Sequence, residues 1–208
     1  YSDCDKVVYF ASRTTRAVPL THYAFVIANQ PMLSAIKDKS SREQVKSMCN
    51  SVIPLVDSAN TWQSAAYNRV KSTLSALQKT GKVDCFHAIN TVAAHLTAET
   101  MTPAICYVLS KKHLDNCANK LTTNLLEFDS KIPYTIDREC EAILRKLPNF
   151  KEYLAMPEYL RLVRLLQKGV GVHHAGMMPV FRELVEVLFS QGKIKLLFAT
   201  ETVAVGPN

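Results

Sequence analysis

Apolar positions change their period several times along the chain. Val170–His173 is a short β-rich run, followed by the small residues Ala175 and Gly176. Apolar residues then fall at Val180, Phe181, Leu184, Val185 and Leu188, a spacing that predicts one face of a helix. Gly192 stands where helices commonly stop. Ile194–Ala199 is almost wholly apolar, as a strand buried on both faces requires. Strand, helix, strand makes a βαβ unit, so the two strands are expected to be parallel neighbours. Ligands of such sheets sit beyond the carboxyl ends of the strands. The HHAG cluster and Thr200-Glu201-Thr202 both fall at such ends, and are expected side by side on one edge.

Upstream, Lys6–Phe10 reads as a strand, Ser12–Arg16 as a polar turn and Ala24–Ala28 as a further apolar run. Ser40 with Glu43 forms a capping-box pattern, predicting a helix to about Ile53, ahead of Pro54. Trp62, Ala66, Val70, Leu74 and Leu77 make a second stripe, and Cys85, Ile89, Val92 and Leu96 a third. Ala104–Leu109 reads as a buried strand, with Ser110 capping a helix that shows Leu114, Cys117 and Leu121 on one face. Asp137 is expected to cap a helix carrying Cys140, Ile143, Leu144 and Leu147, closed by Pro148. Pro157 suits the first position of another, bearing Leu160, Val163 and Leu166 and ended by Gly169, with Arg161, Arg164 and Lys168 outward. The order predicts an α/β fold.

At 208 residues the chain holds one sizeable domain or a little more. With 48% hydrophobic and 21% charged residues it has ordinary globular composition. No apolar run reaches membrane-span length, and YSDCDKVVYF carries no secretory pattern. These features lead us to expect an intracellular protein, of nucleus or cytoplasm. A net charge of +7 favours a polyanionic partner. The six cysteines, Cys4, Cys49, Cys85, Cys106, Cys117 and Cys140, have no C-x-x-C spacing, so reduced and mostly buried thiols are expected rather than a metal cluster.

Two positions carry plain chemistry. Ser110 at a strand end, with Lys111 and Lys112 at a helix N-terminus, suits a phosphate; it also suits a simple cap with solvated lysines. His173 or His174 would serve an acid/base enzyme, with Glu201 as the nearby carboxylate. Trp62 reads as a core anchor, with base stacking as its other reading. His87 and His95 read as partly buried structural histidines.

GVHHAGMMP followed by LFATETVAVG resembles the second RecA-like domain of superfamily 2 DExH-box helicases, in particular the exosome-associated RNA helicases. The likeness is dense over Gly169–Gly206. Upstream, A-V-P-L-T-H-Y resembles the segment linking the two RecA-like lobes, with Ala17 in place of the first proline; an edge strand with Pro19 at a non-donating position is its other reading. AICYVLSKK resembles the family's strand-to-Ser motif. Val203 and Val205 replace bulkier residues, and Pro207 replaces a branched one. The resemblance implies an incomplete RecA-like parallel sheet flanked by helices over 101–208, a connector with the first strands over 1–30, and a helical segment over 31–100. It implies RNA contacts from Ser110, Lys111, His173, His174, Gly176, Thr200 and Thr202, and an approach to nucleotide by Gly206 and Asn208.

The sequence has no G-x-x-x-x-G-K-[ST] to cradle phosphates and no D-E-x-H. The resemblance therefore implies that ATP and Mg2+ are used by a full-length parent, with this segment not catalytic alone. Its implied partners are RNA, the first RecA-like lobe of the same protein and an RNA-decay complex, with no membrane. A non-catalytic nucleic-acid-binding or adaptor module is the other reading.

Overall fold

In a computed structural model of the chain, residues 19–123, 125–126 and 131–200 are described. The strand and turn expected at Lys6–Phe10 and Ser12–Arg16, and the sites expected at Thr202, Gly206 and Asn208, lie outside them. Two compact units divide the chain between Lys82 and Val83.

In the first unit, β1 (His22–Phe25) pairs antiparallel with β2 (Val52–Val56). Between them come α1 (Gln30–Ser34) and α2 (Lys39–Met48), and after them α3 (Ser64–Gln78). The helix expected to run from Ser40 to Ile53 is shorter. It is capped by Asp38, whose carboxylate accepts from Ser41 N at 2.6 Å, and it ends at Met48. Asn50 then takes a left-handed φ of 58° and donates its N–H to Val26 O at 2.7 Å. That turn converts the remaining apolar residues into a strand, so pairing with β1 overrides the helical period. Val70 and Leu77 of the α3 stripe are buried, but Leu74 is exposed. Trp62 is no core anchor: it is 51% exposed and leans on Tyr67, ring centroids 5.3 Å apart.

The second unit opens with α4 (Cys85–Ala98). Then follow β3 (Ala104–Tyr107), α5 (Lys111–Asn119), α6 (Ile132–Leu144), α7 (Phe150–Ala155), α8 (Pro157–Leu166), β4 (Val170–His173), α9 (Pro179–Ser190) and β5 (Leu196–Ala199). The strands form a parallel sheet in the order β3-β5-β4, with Val170 opposite Leu196. The βαβ reading therefore holds, and Gly192 takes the left-handed φ of 72° that ends α9. Pro157 starts α8 as expected, and Arg161, Arg164 and Lys168 are exposed, though Leu160 is exposed too. Asp137 does not cap α6; the helix begins earlier, at Ile132, with Pro133 in its first turn. His87 is exposed, and His95 is half-buried.

Alternation along the strands explains their continuous apolar character. Leu197 and Ile105 face a layer built by α6, α8 and α9, with Leu144, Leu166, Phe181 and Leu188 at its centre. Leu196, Phe198, Val170 and Val172 face the opposite layer, with Leu114 and Cys117 of α5 and Ala93 of α4. Both faces of β4 and β5 are thus covered, as a parallel sheet requires. β3, expected as a buried strand, instead lies at an edge of the sheet and is only half-buried, with Tyr107 exposed. Gly171 lets the first layer close: a Cβ there would lie 2.8 Å from Leu197 Cδ1 and 2.9 Å from Ile194 Cδ1.

Candidate nucleic-acid interface

Parallel pairing brings the carboxyl ends of three strands to one edge. Val108 N donates to Ala199 O at 2.8 Å, and Thr200 N donates to His173 O at 3.2 Å. The segments leaving β3, β4 and β5 therefore emerge together, and with them Ser110, the His174–Gly176 loop and Thr200. Thr200 is half-buried, and its place is fixed through the main chain.

Ser110 is exposed and caps α5, its Oγ accepting from His113 N at 3.4 Å. Lys111 and Lys112 are exposed in the first turn of α5. Lys111 leans toward the neighbouring loop: a Cβ on Gly176 would lie 3.6 Å from Lys111 Cδ and 3.1 Å from His174 Nδ1. A side chain at Gly176 would press on the His174 ring, so the residue keeps this loop close to α5.

The two histidines play different parts because they point to opposite faces. His174 has the parity of Val172 and turns toward α5. Its Nδ1 accepts from Gly176 N at 3.1 Å, and its Nε2 lies 3.5 Å from Asp115 Oδ1. With Nδ1 occupied as an acceptor, Nε2 carries the proton and faces the carboxylate. His173 has the parity of Gly171 and turns toward α9. It is 2% exposed, and its Nε2 lies 2.6 Å from Glu186 Oε1. A carboxylate only accepts, so Nε2–H donates to it. His173 Nδ1 is buried and has no hydrogen-bond partner among the described residues. His173 therefore holds the end of β4 against α9, and only its carbonyl, bonded to Thr200 N, reaches the edge.

Beside the loop lies a cleft of about 570 Å³, lined by His174, Met177, Met178, Phe181 and, from α8, Arg161 and Leu162. The edge thus combines exposed cationic and hydroxyl groups with a loop of small residues. Such a surface suits a phosphate backbone, read without base preference. Sequence reasoning placed Ser110, Lys111, His173, His174, Gly176, Thr200 and Thr202 on this edge. The His173 ring instead turns beneath it toward Glu186, and Thr202 lies outside the described residues. Glu186 and Asp115 were missed. Their partners became visible only once α9 and α5 were packed on opposite faces of the sheet. Glu201, the carboxylate considered for acid/base chemistry, is outside the described residues.

Similar proteins agree in kind. The chain is 32% identical to the DExH-box ATP-dependent RNA helicase DExH11 of Arabidopsis thaliana, over 98% of its own length and 17% of that protein's. It is 30% identical to the human Superkiller complex protein 2, over 97% of this chain and 16% of that one. Over 51% of its length it is 34% identical to the human exosome RNA helicase MTR4, covering 10% of that protein. No protein-family model matches the chain. Similarity along nearly the whole chain, together with a three-stranded parallel sheet between helices that is compatible with part of a RecA-like domain, makes this chain a homologue of one segment of the DExH-box RNA helicases.

Proposed function

We propose that this chain is the RNA-facing part of the second RecA-like lobe of an ATP-dependent RNA helicase. It contributes backbone contacts and motor coupling, and is not catalytic alone. The observation that carries this reading is the convergence of Ser110, Lys111, the His174–Gly176 loop and Thr200 at one carboxyl edge. In this reading Ser110, Lys111, Gly176, Thr200 and Thr202 meet phosphate or sugar oxygens, and His174 shapes the loop between them. His173 acts from beneath by fixing the strand end and offering its carbonyl to Thr200 N. Gly206 and Asn208 approach the nucleotide. ATP with Mg2+ binds between this lobe and the first RecA-like lobe, and closure of the lobes moves one set of strand contacts against the other. The parent works with an RNA-decay complex, a reading supported by the chain's likeness to the Superkiller complex protein 2 and the exosome RNA helicase MTR4.

The test is a titration of labelled single-stranded RNA with the chain at rising salt. Binding is expected to be weak, sequence-tolerant and steeply salt-dependent, because phosphate contacts release counterions. Lys111→Ala should weaken binding to all sequences alike and reduce the salt slope by about 0.7. Affinity indifferent to salt, or a slope unchanged by Lys111→Ala, would remove the edge from RNA contact. A parent that binds RNA in this way, yet shows no RNA-stimulated ATPase, would favour the adaptor reading instead.

A further inference from the structure

The six cysteines are scattered in sequence, but two of them meet a histidine in the second unit. Asp84 caps α4, its carboxylate accepting from Phe86 N at 3.1 Å and His87 N at 3.3 Å. That cap sets Cys85 in the first turn. On α5, His113 and Cys117 are one turn apart and share a face.

Asn90 fixes α4 against the end of α5. Its Oδ1 accepts from Thr122 N at 2.8 Å and Thr123 N at 3.2 Å, while its Nδ2 donates to Lys120 O at 3.3 Å. Phe86 also packs beside His113, ring centroids 6.2 Å apart, with Lys120 Nζ 4.0 Å over the Phe86 ring. The three side chains are thereby held in register. Cys85 Sγ lies 3.1 Å from His113 Nε2, and the ligand atoms of Cys85, His113 and Cys117 all lie within 4.8 Å of one another.

We propose that Cys85, His113 and Cys117 form a Zn2+ site that staples the start of α4 to α5. Two sulfurs and an imidazole nitrogen are a donor set suited to Zn2+. Around one tetrahedral Zn2+, with Zn–S about 2.3 Å and Zn–N about 2.0 Å, such atoms stand roughly 3.5–3.8 Å apart. The observed cluster needs only a small adjustment to reach that spacing. Cys117 is buried and Cys85 exposed, so the cluster has one wet side, and water takes the fourth position. Binding replaces two thiol protons with the metal and releases them to solvent. The site is remote in role from the RNA-facing edge and does not depend on that reading.

The experiment uses the whole chain, stripped of metal and kept reduced. Zn2+ is titrated against a chromophoric chelator, and Co2+ is followed by absorbance. The expected result is one Zn2+ per chain, and a Co2+ spectrum with thiolate charge-transfer and tetrahedral bands. Cys85→Ser and His113→Asn should each weaken binding by about tenfold or more, since one of three protein ligands is gone. Cys106→Ser, outside the cluster, should bind as the parent does. Because Cys117 is a core residue, a measurement free of substitution is added: Zn2+ should protect Cys85 from alkylation. Absent binding, a thiolate-free octahedral Co2+ spectrum, binding that survives both ligand substitutions, or Cys85 alkylated equally fast with Zn2+ would overturn the site.

Discussion

His173 Nε2 donates to Glu186 Oε1 across 2.6 Å, tying the carboxyl end of β4 to the middle of α9. The imidazole is buried, while the carboxylate remains partly solvated. Removing Glu186 leaves both ring nitrogens without a partner among the described residues. A buried polar group so orphaned costs about 1–3 kcal/mol. Glu186→Ala should therefore lower the thermal midpoint by several degrees, and Glu186→Gln, which keeps an acceptor, by less. Equal midpoints for Glu186→Ala and the parent would show that the pair does not hold the strand.

Close packing makes Gly171 the second sensitive point. An added methyl meets Leu197 and Ile194 at under 3 Å in a fully covered layer. The contacts are side-chain ends, so the neighbours shift instead of the backbone breaking. Overpacking of this kind costs about 1–3 kcal/mol. Gly171→Ala should lower the urea midpoint with an unchanged slope. A midpoint at or above the parent's would mean that the layer is looser than the distances indicate.

Much of the second unit was legible because its signals are local. β4, α9 and β5 follow one another with clear changes of period, and Gly192 marks the stop with its left-handed φ. What escaped the sequence depends on pairing between distant segments. The run from Ser40 to Ile53 fits a helical stripe, yet Val52 and Ile53 are drawn off by β1, a choice no local pattern records. Asp38 replaces Ser40 as the cap, and the helix starts at Lys39, two residues earlier than the capping box suggests. On the candidate edge, residues following strand ends were found, but Glu186 and Asp115 were not, since helix surfaces are full of carboxylates. Cys85 and His113, 28 positions apart, meet only through the packing of α4 on α5.

Cys140 gives a pH-dependent prediction. It is fully buried, and burial, assisted by the nearby Asp137 and Glu139 charges, pushes its thiol from 9.0 up to about 12. The unfolded chain therefore loses this proton at lower pH than the folded one. The stability that the protonated, buried thiol contributes is intact below pH 9 and is lost as pH rises from there toward 12. Urea midpoints should fall as pH rises from about 9 toward about 11 in the unsubstituted chain, and fall less in Cys140→Ala. Identical pH slopes in the two proteins would remove Cys140 from the alkaline transition.

Thr200 separates support from function most sharply. It follows β5 directly, and its main chain is held by the bond from its N–H to His173 O, which substitution of the side chain leaves in place. On the proposed reading, deleting the hydroxyl leaves that main-chain bond in place and removes a group that meets phosphate at the carboxyl edge. In the full-length parent, Thr200→Ala should keep its thermal midpoint but lose about 1–2 kcal/mol of RNA binding, on the order of tenfold in affinity. RNA stimulation of ATP turnover should fall with it. If the hydroxyl instead serves the local backbone, the opposite pattern appears: a lower midpoint with coupling intact. Measuring melting and RNA-stimulated ATPase on the same preparation decides between them, and a destabilised variant with normal stimulation would take Thr200 out of the RNA-facing set.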